Sequence, residues 1–159
     1  MQEPIQNELA SFIANCDWEK IAPHFKEDAA YRVLDWVGCA VAGEHYPQVE
    51  IAQKYFIENG EQGNSTVIGH QTKCSPRTAA FLNGIAGHVC ELDDGHRTAI
   101  GHPGSIAVPT ALALGEHLNA SGADVLKAVI LGYEVFSRLG RTVNPSHYRT
   151  RSEEHTSEL

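Results

Sequence analysis

Proline and glycine punctuate this chain at helix-length intervals, and that punctuation limits what it can fold into. Pro23 precedes an apolar stripe from about His24 to Ala42, and Gly43 follows it. Pro47 opens a second stretch to about Asn59, stopped by Gly60. Ser75-Pro76 opens a third, with the serine as N-cap and the proline at the first helical position. Proline's fixed φ and missing N–H suit a first turn; glycine's freedom suits the position after a last one. The expected inward faces are Ala30, Val33, Leu34, Val37, Ala40 and Val41; Ile51, Ala52, Tyr55 and Phe56; and Ala79, Ala80, Leu82, Ile85 and Ala86.

Three more segments carry helical periodicity. Glu8 to Asn15 is short, with Leu9, Ala10, Phe12 and Ile13 apolar, and Asp17 can cap a following turn. Ile106 to Leu118 is interrupted by Pro109, which predicts a kinked or delayed first turn. Ser121 and Asp124 form a capping pair ahead of a helix to about Leu139. Its wide apolar arc (Val125, Leu126, Val129, Ile130, Tyr133, Phe136, Leu139) predicts deep burial, ended by Gly140. Thr66-Val67-Ile68 and Thr72-Lys73-Cys74 flank Gly69-His70-Gln71 and predict one small β-hairpin. The fold class is therefore mostly α, about six helices plus one hairpin, with no βαβ alternation and no phosphate-binding loop.

The 159 residues suffice for one domain, and the net charge of −8 without a basic tract argues against nucleic acid and anionic membrane as partners. No apolar run reaches bilayer-spanning length. Met1-Gln2-Glu3-Pro4 has no signal-peptide character, so a cytoplasmic protein is expected. Cys16, Cys39, Cys74 and Cys90 are scattered and read as reduced thiols. Residues 151–159 (Arg151 to Leu159) have neither helical nor strand periodicity and look like one translated frame of a sequencing adapter. We therefore expect a domain over 1–150 and a disordered, non-native tail, left out of the fold.

The chemistry concentrates between Glu91 and Ser105, in Glu91-Leu92-Asp93-Asp94-Gly95-His96-Arg97 and Gly101-His102-Pro103-Gly104-Ser105. Glycine and proline make this a loop, and ionisable groups crowded on a loop suit catalysis. His102 stands just before a helix start, whose positive end favours a neutral imidazole able to take up a proton. Gly104 and Ser105 would offer backbone N–H groups as a seat for a substrate carboxylate. Asp93 or Asp94 would orient His96 or His102, Arg97 would clamp a carboxylate, and His147 on a second polar loop (Asn144 to Tyr148) would supply the other proton-transfer group. Plain alternatives stay open: the aspartates as turn caps, His96 and Arg97 as exposed loop residues. Glu91 reads as structural, and His24, His45, His70, His88 and His117 as surface or ordinary hydrogen-bonding residues. Asp93, Asp94, His96 and His102 are metal-ligand types, but no strong ligand spacing appears, so no metal is expected. Asn64-Ser65-Thr66 matches a glycosylation acceptor by chance.

From about Leu9 to Arg149 the chain resembles the N-terminal part of the MmgE/PrpD family, which includes 2-methylcitrate dehydratase, cis-aconitate decarboxylase and iminodisuccinate epimerase. The resemblance rests on Val33-Leu34-Asp35-Trp36-Val37-Gly38-Cys39, Thr66-Val67-Ile68-Gly69-His70, Leu82-Asn83-Gly84, Leu92-Asp93-Asp94, Gly101-His102-Pro103-Gly104-Ser105 and Pro145-Ser146-His147-Tyr148. It implies a helical domain joined to an α/β lid, an active site in the cleft between them, cofactor-independent chemistry on small polycarboxylates, and a homodimer. It makes His102 and His147 active-site positions and aligns Asp93 and Asp94 with the family's paired aspartates. Many members carry Asp at the position of Glu91 and an active-site Thr at that of Gly95. The lid and the lysines that members contribute from later sequence lie beyond this chain. The expectation is a piece of a 2-methylcitrate dehydratase-like lyase, inactive alone. An epimerase or isomerase of the same family, and a non-catalytic helical interaction module, are the alternatives.

Overall fold

The computed structural model describes residues 4–151, without the side chains of Tyr148, Thr150 and Arg151. The expected polar tail lies outside the described residues apart from the Arg151 backbone, which ends the last helix. The helices are α1 (Ile5–Ala14), α2 (Pro23–Gly43), α3 (Pro47–Glu58), α4 (Pro76–His88), α5 (Gly104–Leu118), α6 (Gly122–Val143) and α7 (Ser146–Arg151). A 3-10 turn at Trp18–Lys20 follows α1, with the Asp17 carboxylate accepting from Glu19 N–H at 3.0 Å. The antiparallel strands β1 (Ser65–Thr66) and β2 (Lys73–Cys74) pair Ser65 with Cys74 and Thr66 with Lys73. The protein is mostly α, with one small hairpin shorter than its apolar residues suggested.

The punctuation works as expected at helix starts. Pro23, Pro47 and Pro76 each stand in a first turn. Ser75 Oγ accepts from Thr78 N–H, and Ser121 Oγ accepts from Asp124 N–H while its hydroxyl donates to the Asp124 carboxylate at 2.7 Å. Helix ends differ more. Gly140 does not stop α6, which runs on to Val143, because the glycine serves packing: a Cβ there would lie 2.5 Å from that of Ala99. Pro109 neither delays nor ends α5, since it sits beyond the first turn of a helix that already starts at Gly104. Asn144 to Tyr148 is not a plain loop either: Ser146 begins α7, so His147 is helical.

Helix α4 is the centre, packed against α5 and α2, with α6 beyond α5. One core joins Trp36, Ala40, Val49, Ala86, Val108, Ala111 and Val129; a second joins Val67, Cys74, Ala79, Leu82 and Ala113. Close approach depends on missing side chains. A Cβ on Gly87 would lie 2.4 Å from Trp36 Nε1, and one on Gly84 would lie 3.2 Å from the Ser105 carbonyl oxygen. The hairpin is tied to this frame by Asn83, which donates to Thr66 C=O at 2.9 Å and accepts from Ile68 N–H at 2.8 Å. Ser65 Oγ donates to Ala113 C=O at 2.7 Å.

The expected faces need rotation. In α2 the buried residues are Ala29, Trp36, Cys39, Ala40 and Gly43, whereas Leu34 and Val41 are exposed. In α3 Val49 is buried and Ala52, Phe56 and Ile57 pack inward, whereas Ile51 and Tyr55 are exposed. Both helices are apolar over more than one face, and α4 selects the side that accommodates Trp36 or the β-hairpin. Helix α6 is not deeply sunk: only Val129 and Leu131 are buried, because it has a partner on one side and an open face on the other.

Candidate active site

Helix α4 ends at His88 and α5 begins at Gly104, so the connection between them crosses the ends of two tightly packed helices. Its residues form no regular element beyond one bridge between His96 and Gly101. His96 N–H donates to Gly101 C=O and Ile100 N–H to His96 C=O, each at 2.8 Å. The turn tucks Ala99 into the protein and leaves Arg97 outside.

Asp93 is the pivot. Its carboxylate has no solvent exposure. It accepts from Ser105 Oγ at 2.5 Å and lies 3.0 and 3.1 Å from His88 Nδ1. His102 Nδ1 is 3.4 Å away, buried and out of line for a hydrogen bond. The rings of His88 and His102 stand 4.7 Å apart, centroid to centroid. A buried carboxylate is tolerable only with such partners around it. His88 is thereby oriented by the anion from its far side, whereas His102 faces the same carboxylate without a hydrogen bond to it.

That cavity has a volume of about 820 Å³, and its lining includes His88, His102, Ser105 and His147. The two histidines picked from the sequence thus face one space, although α5 and α6 separate them along the chain. Phe81, Ile100, Ile106 and Phe136 make most of the wall apolar.

Asp94 points the other way. Its Oδ1 accepts from Gly104 N–H at 2.9 Å, and its Oδ2 lies 3.3 Å from Arg32 Nη1. Tyr133 hydrogen-bonds to the same carboxylate, and burial first, then the Asp94 charge, push the phenol well above its ordinary pKa. Asp94 is therefore an anion at the α5 N-terminus, where free N–H groups and the helix dipole favour negative charge. The seat expected for a substrate at Gly104 is filled from within the protein, and the Ser105 hydroxyl is committed to Asp93.

His96 and Arg97 join Asp94, Arg32 and Tyr133 around a separate cavity of about 390 Å³. His96 Nδ1 accepts from Ala99 N–H at 3.0 Å, so that nitrogen braces the ring's own turn and not an aspartate. Arg97 does not reach the cavity of His102. The reason is local: the 96–101 turn folds back on itself with Arg97 near its tip.

His88, read as a surface or ordinary hydrogen-bonding residue, is hydrogen-bonded to Asp93 and lines the cavity of His102. It has the right type at the end of a helix aimed into the loop, and that position was the available signal. Glu91, read as structural, brings Oε1 to 3.4 Å from His88 Nε2. His88, Glu91 and His102 hold three ligand-type atoms within 4.8 Å of one another, a grouping hidden by their spacing along the chain. Arg32 and Tyr133 also escaped notice, because they act from α2 and α6.

Comparison with known proteins fits this frame. The MmgE/PrpD N-terminal domain matches residues 7–157. The cis-aconitate decarboxylase-like protein oryM of Aspergillus oryzae is 31% identical over 140 residues, 84% of this chain and 29% of that protein. Cis-aconitate decarboxylase of Aspergillus terreus is 31% identical over 144 residues, 87% of this chain and 29% of its own length. The Homo sapiens cis-aconitate decarboxylase is 35% identical over 112 residues, 67% and 23% respectively. The chain therefore spans less than a third of the curated relatives it matches. On the match across nearly its whole length, the chain belongs to the MmgE/PrpD family and carries its N-terminal domain.

Proposed function

We propose that this chain contributes the first part of a lyase that acts on a small polycarboxylate by moving a proton beside a carboxylate. The observation that carries the reading is the common cavity of His102 and His147, with Asp93 buried behind His102. An imidazole with a carboxylate beside one edge exchanges a proton at the other. His102 serves one side of the substrate and His147 the other. With carbon dioxide as the leaving group, the carbon left electron-rich takes the proton. With water as the leaving group, one ring removes the proton and the other protonates the departing hydroxyl. The names of the relatives favour decarboxylation over 2-methylcitrate dehydration.

None of the cavity's described lining residues is a lysine or arginine. A polyanion bound there needs cations from elsewhere in the protein, which supports the reading that the 159 residues alone are inactive. Open apolar residues such as Ile106, Leu114 and Leu139 support further packing, with a second copy in a homodimer or with later segments of a longer chain. A cytoplasmic location, a domain boundary near residue 150 and a non-native tail belong to the same proposal.

The test is turnover of cis-aconitate, 2-methylcitrate and related acids by a longer protein that carries this segment, following carbon dioxide, loss of water and inversion separately. His102→Asn is expected to lower kcat by roughly 10²–10⁴. A His102→Asn enzyme within threefold of the parent would refute the assignment.

A further inference from the structure

We propose that His88, Glu91 and His102 form a binding site for a divalent transition metal of the zinc type, and that the metal inhibits the cavity's chemistry by occupying His102. The binding half stands on geometry alone. The inhibitory half rests on the reading of His102 as a proton-transfer group.

The first observation is spacing. Ligands at about 2.0–2.1 Å from a tetrahedral zinc lie roughly 3.4 Å from one another. His88 Nε2 and Glu91 Oε1 are 3.4 Å apart, the span of one tetrahedral edge. The third ligand atom, on His102, lies within 4.8 Å of both, which side-chain rotation can shorten. The second observation is how the pair is made. The chain turns at once after α4, with Glu91 N–H donating to His88 C=O at 2.8 Å. Glu91 adopts a left-handed φ of 52°. That turn brings the Glu91 carboxylate to the Nε2 edge of His88.

The third observation lies behind the ligands. Asp93 engages His88 Nδ1 and so directs Nε2 towards Glu91. A carboxylate on the far nitrogen of a metal-binding histidine fixes its tautomer and orientation and raises its basicity. The same Asp93 faces His102 Nδ1. Two imidazoles and one carboxylate suit zinc and its neighbours, not the all-oxygen shells of magnesium or calcium. The cavity of about 820 Å³ leaves room for a fourth ligand.

Zn2+ is to be titrated into the purified 159-residue chain against a chromophoric zinc indicator, with thermal melting in parallel. We expect one tight site per chain, a Zn2+-dependent rise in Tm, and at least about tenfold weaker binding in Glu91→Gln and His88→Gln. Mg2+ should do neither. Because His88 also holds Asp93, Glu91→Gln carries the decision: its side chain is 71% exposed. Absence of saturable binding, equal affinity in the parent and Glu91→Gln, or equal binding of Mg2+ would overturn the site. Saturable Zn2+ binding that leaves turnover by the longer enzyme unchanged would retain the site and overturn the inhibition.

Discussion

Adding one methyl group at Gly104 tests how α5 is anchored to the loop. An ideal Cβ there would lie 2.4 Å from Asp94 Oδ1 and 2.9 Å from the Tyr133 hydroxyl. Ordinary contact needs about 1 Å more. The carboxylate cannot retreat freely, because Gly104 N–H and Arg32 both hold it. Moving it breaks the 2.9 Å bond from Gly104, a charge-assisted hydrogen bond worth about 1.5–3 kcal/mol. Overpacking adds about 1–3 kcal/mol. Alanine's better helix propensity returns about 0.5–1 kcal/mol. The net expectation for Gly104→Ala is a loss of roughly 1.5–5.5 kcal/mol, or a Tm lower by about 3–22 °C in a domain of this size. Urea denaturation of the parent, Gly104→Ala, Asp94→Ala and the double variant gives a thermodynamic cycle. With Asp94 shortened, the added methyl has space, so the penalty of Gly104→Ala should fall by at least about 1 kcal/mol. An equal penalty in both backgrounds would refute the account of Asp94 as the anion at the α5 N-terminus.

Three other expectations follow from the packing and the charges. Gly87→Ala drives a Cβ to 2.4 Å from Trp36 Nε1 and should cost about 1–3 kcal/mol in urea denaturation. Gly38→Ala in α2, with nothing within 4 Å, should instead be stabilising by up to about 1 kcal/mol. Burial acts to raise the Glu116 pKa, but the Lys73 ammonium and the Thr66 N–H and hydroxyl outweigh it, so the pKa is lowered in the fold. A depressed carboxylate contributes stability above its unfolded pKa of about 4.3 and loses it as pH falls through the folded value. Glu116→Gln should therefore lower Tm at pH 7 and have a smaller effect near pH 3. An undiminished effect in acid would refute the sign.

Local rules were legible where one residue decides the outcome. Ser75, Pro76, Asp17 and Ser121 cap or start their turns as read, because a cap depends on atoms within three residues of itself. Helix faces were less legible. Leu34 and Val37 are equally apolar, and only the arrival of α4 buries the Trp36 side of α2 rather than the Leu34 side. Gly140 reads as a stop until Ala99, some forty residues earlier, is seen to occupy the space a side chain would take. The site shows the same division. Its loop and the histidines at 102 and 147 were visible as residue types in context. That Asp93 and Asp94 face opposite ways was not, since adjacent carboxylates differ only in which helix end and which partners each meets. His88 and Arg32 were invisible for the same reason: their roles arise from contacts made across the fold.

Gly84 carries a consequence for how this site can diverge. The hydrogen it bears in place of a side chain lets α4 come so near α5 that a Cβ would sit 3.2 Å from the Ser105 carbonyl oxygen. His88 rides on the first helix and the Ser105 hydroxyl on the second, with Asp93 gripped between them. The two helices act as the jaws of a caliper, and position 84 sets the gap. Loop residues such as Gly95 or Arg97 can be exchanged without resetting that gap. A larger residue at 84 would reset it whatever the loop carries.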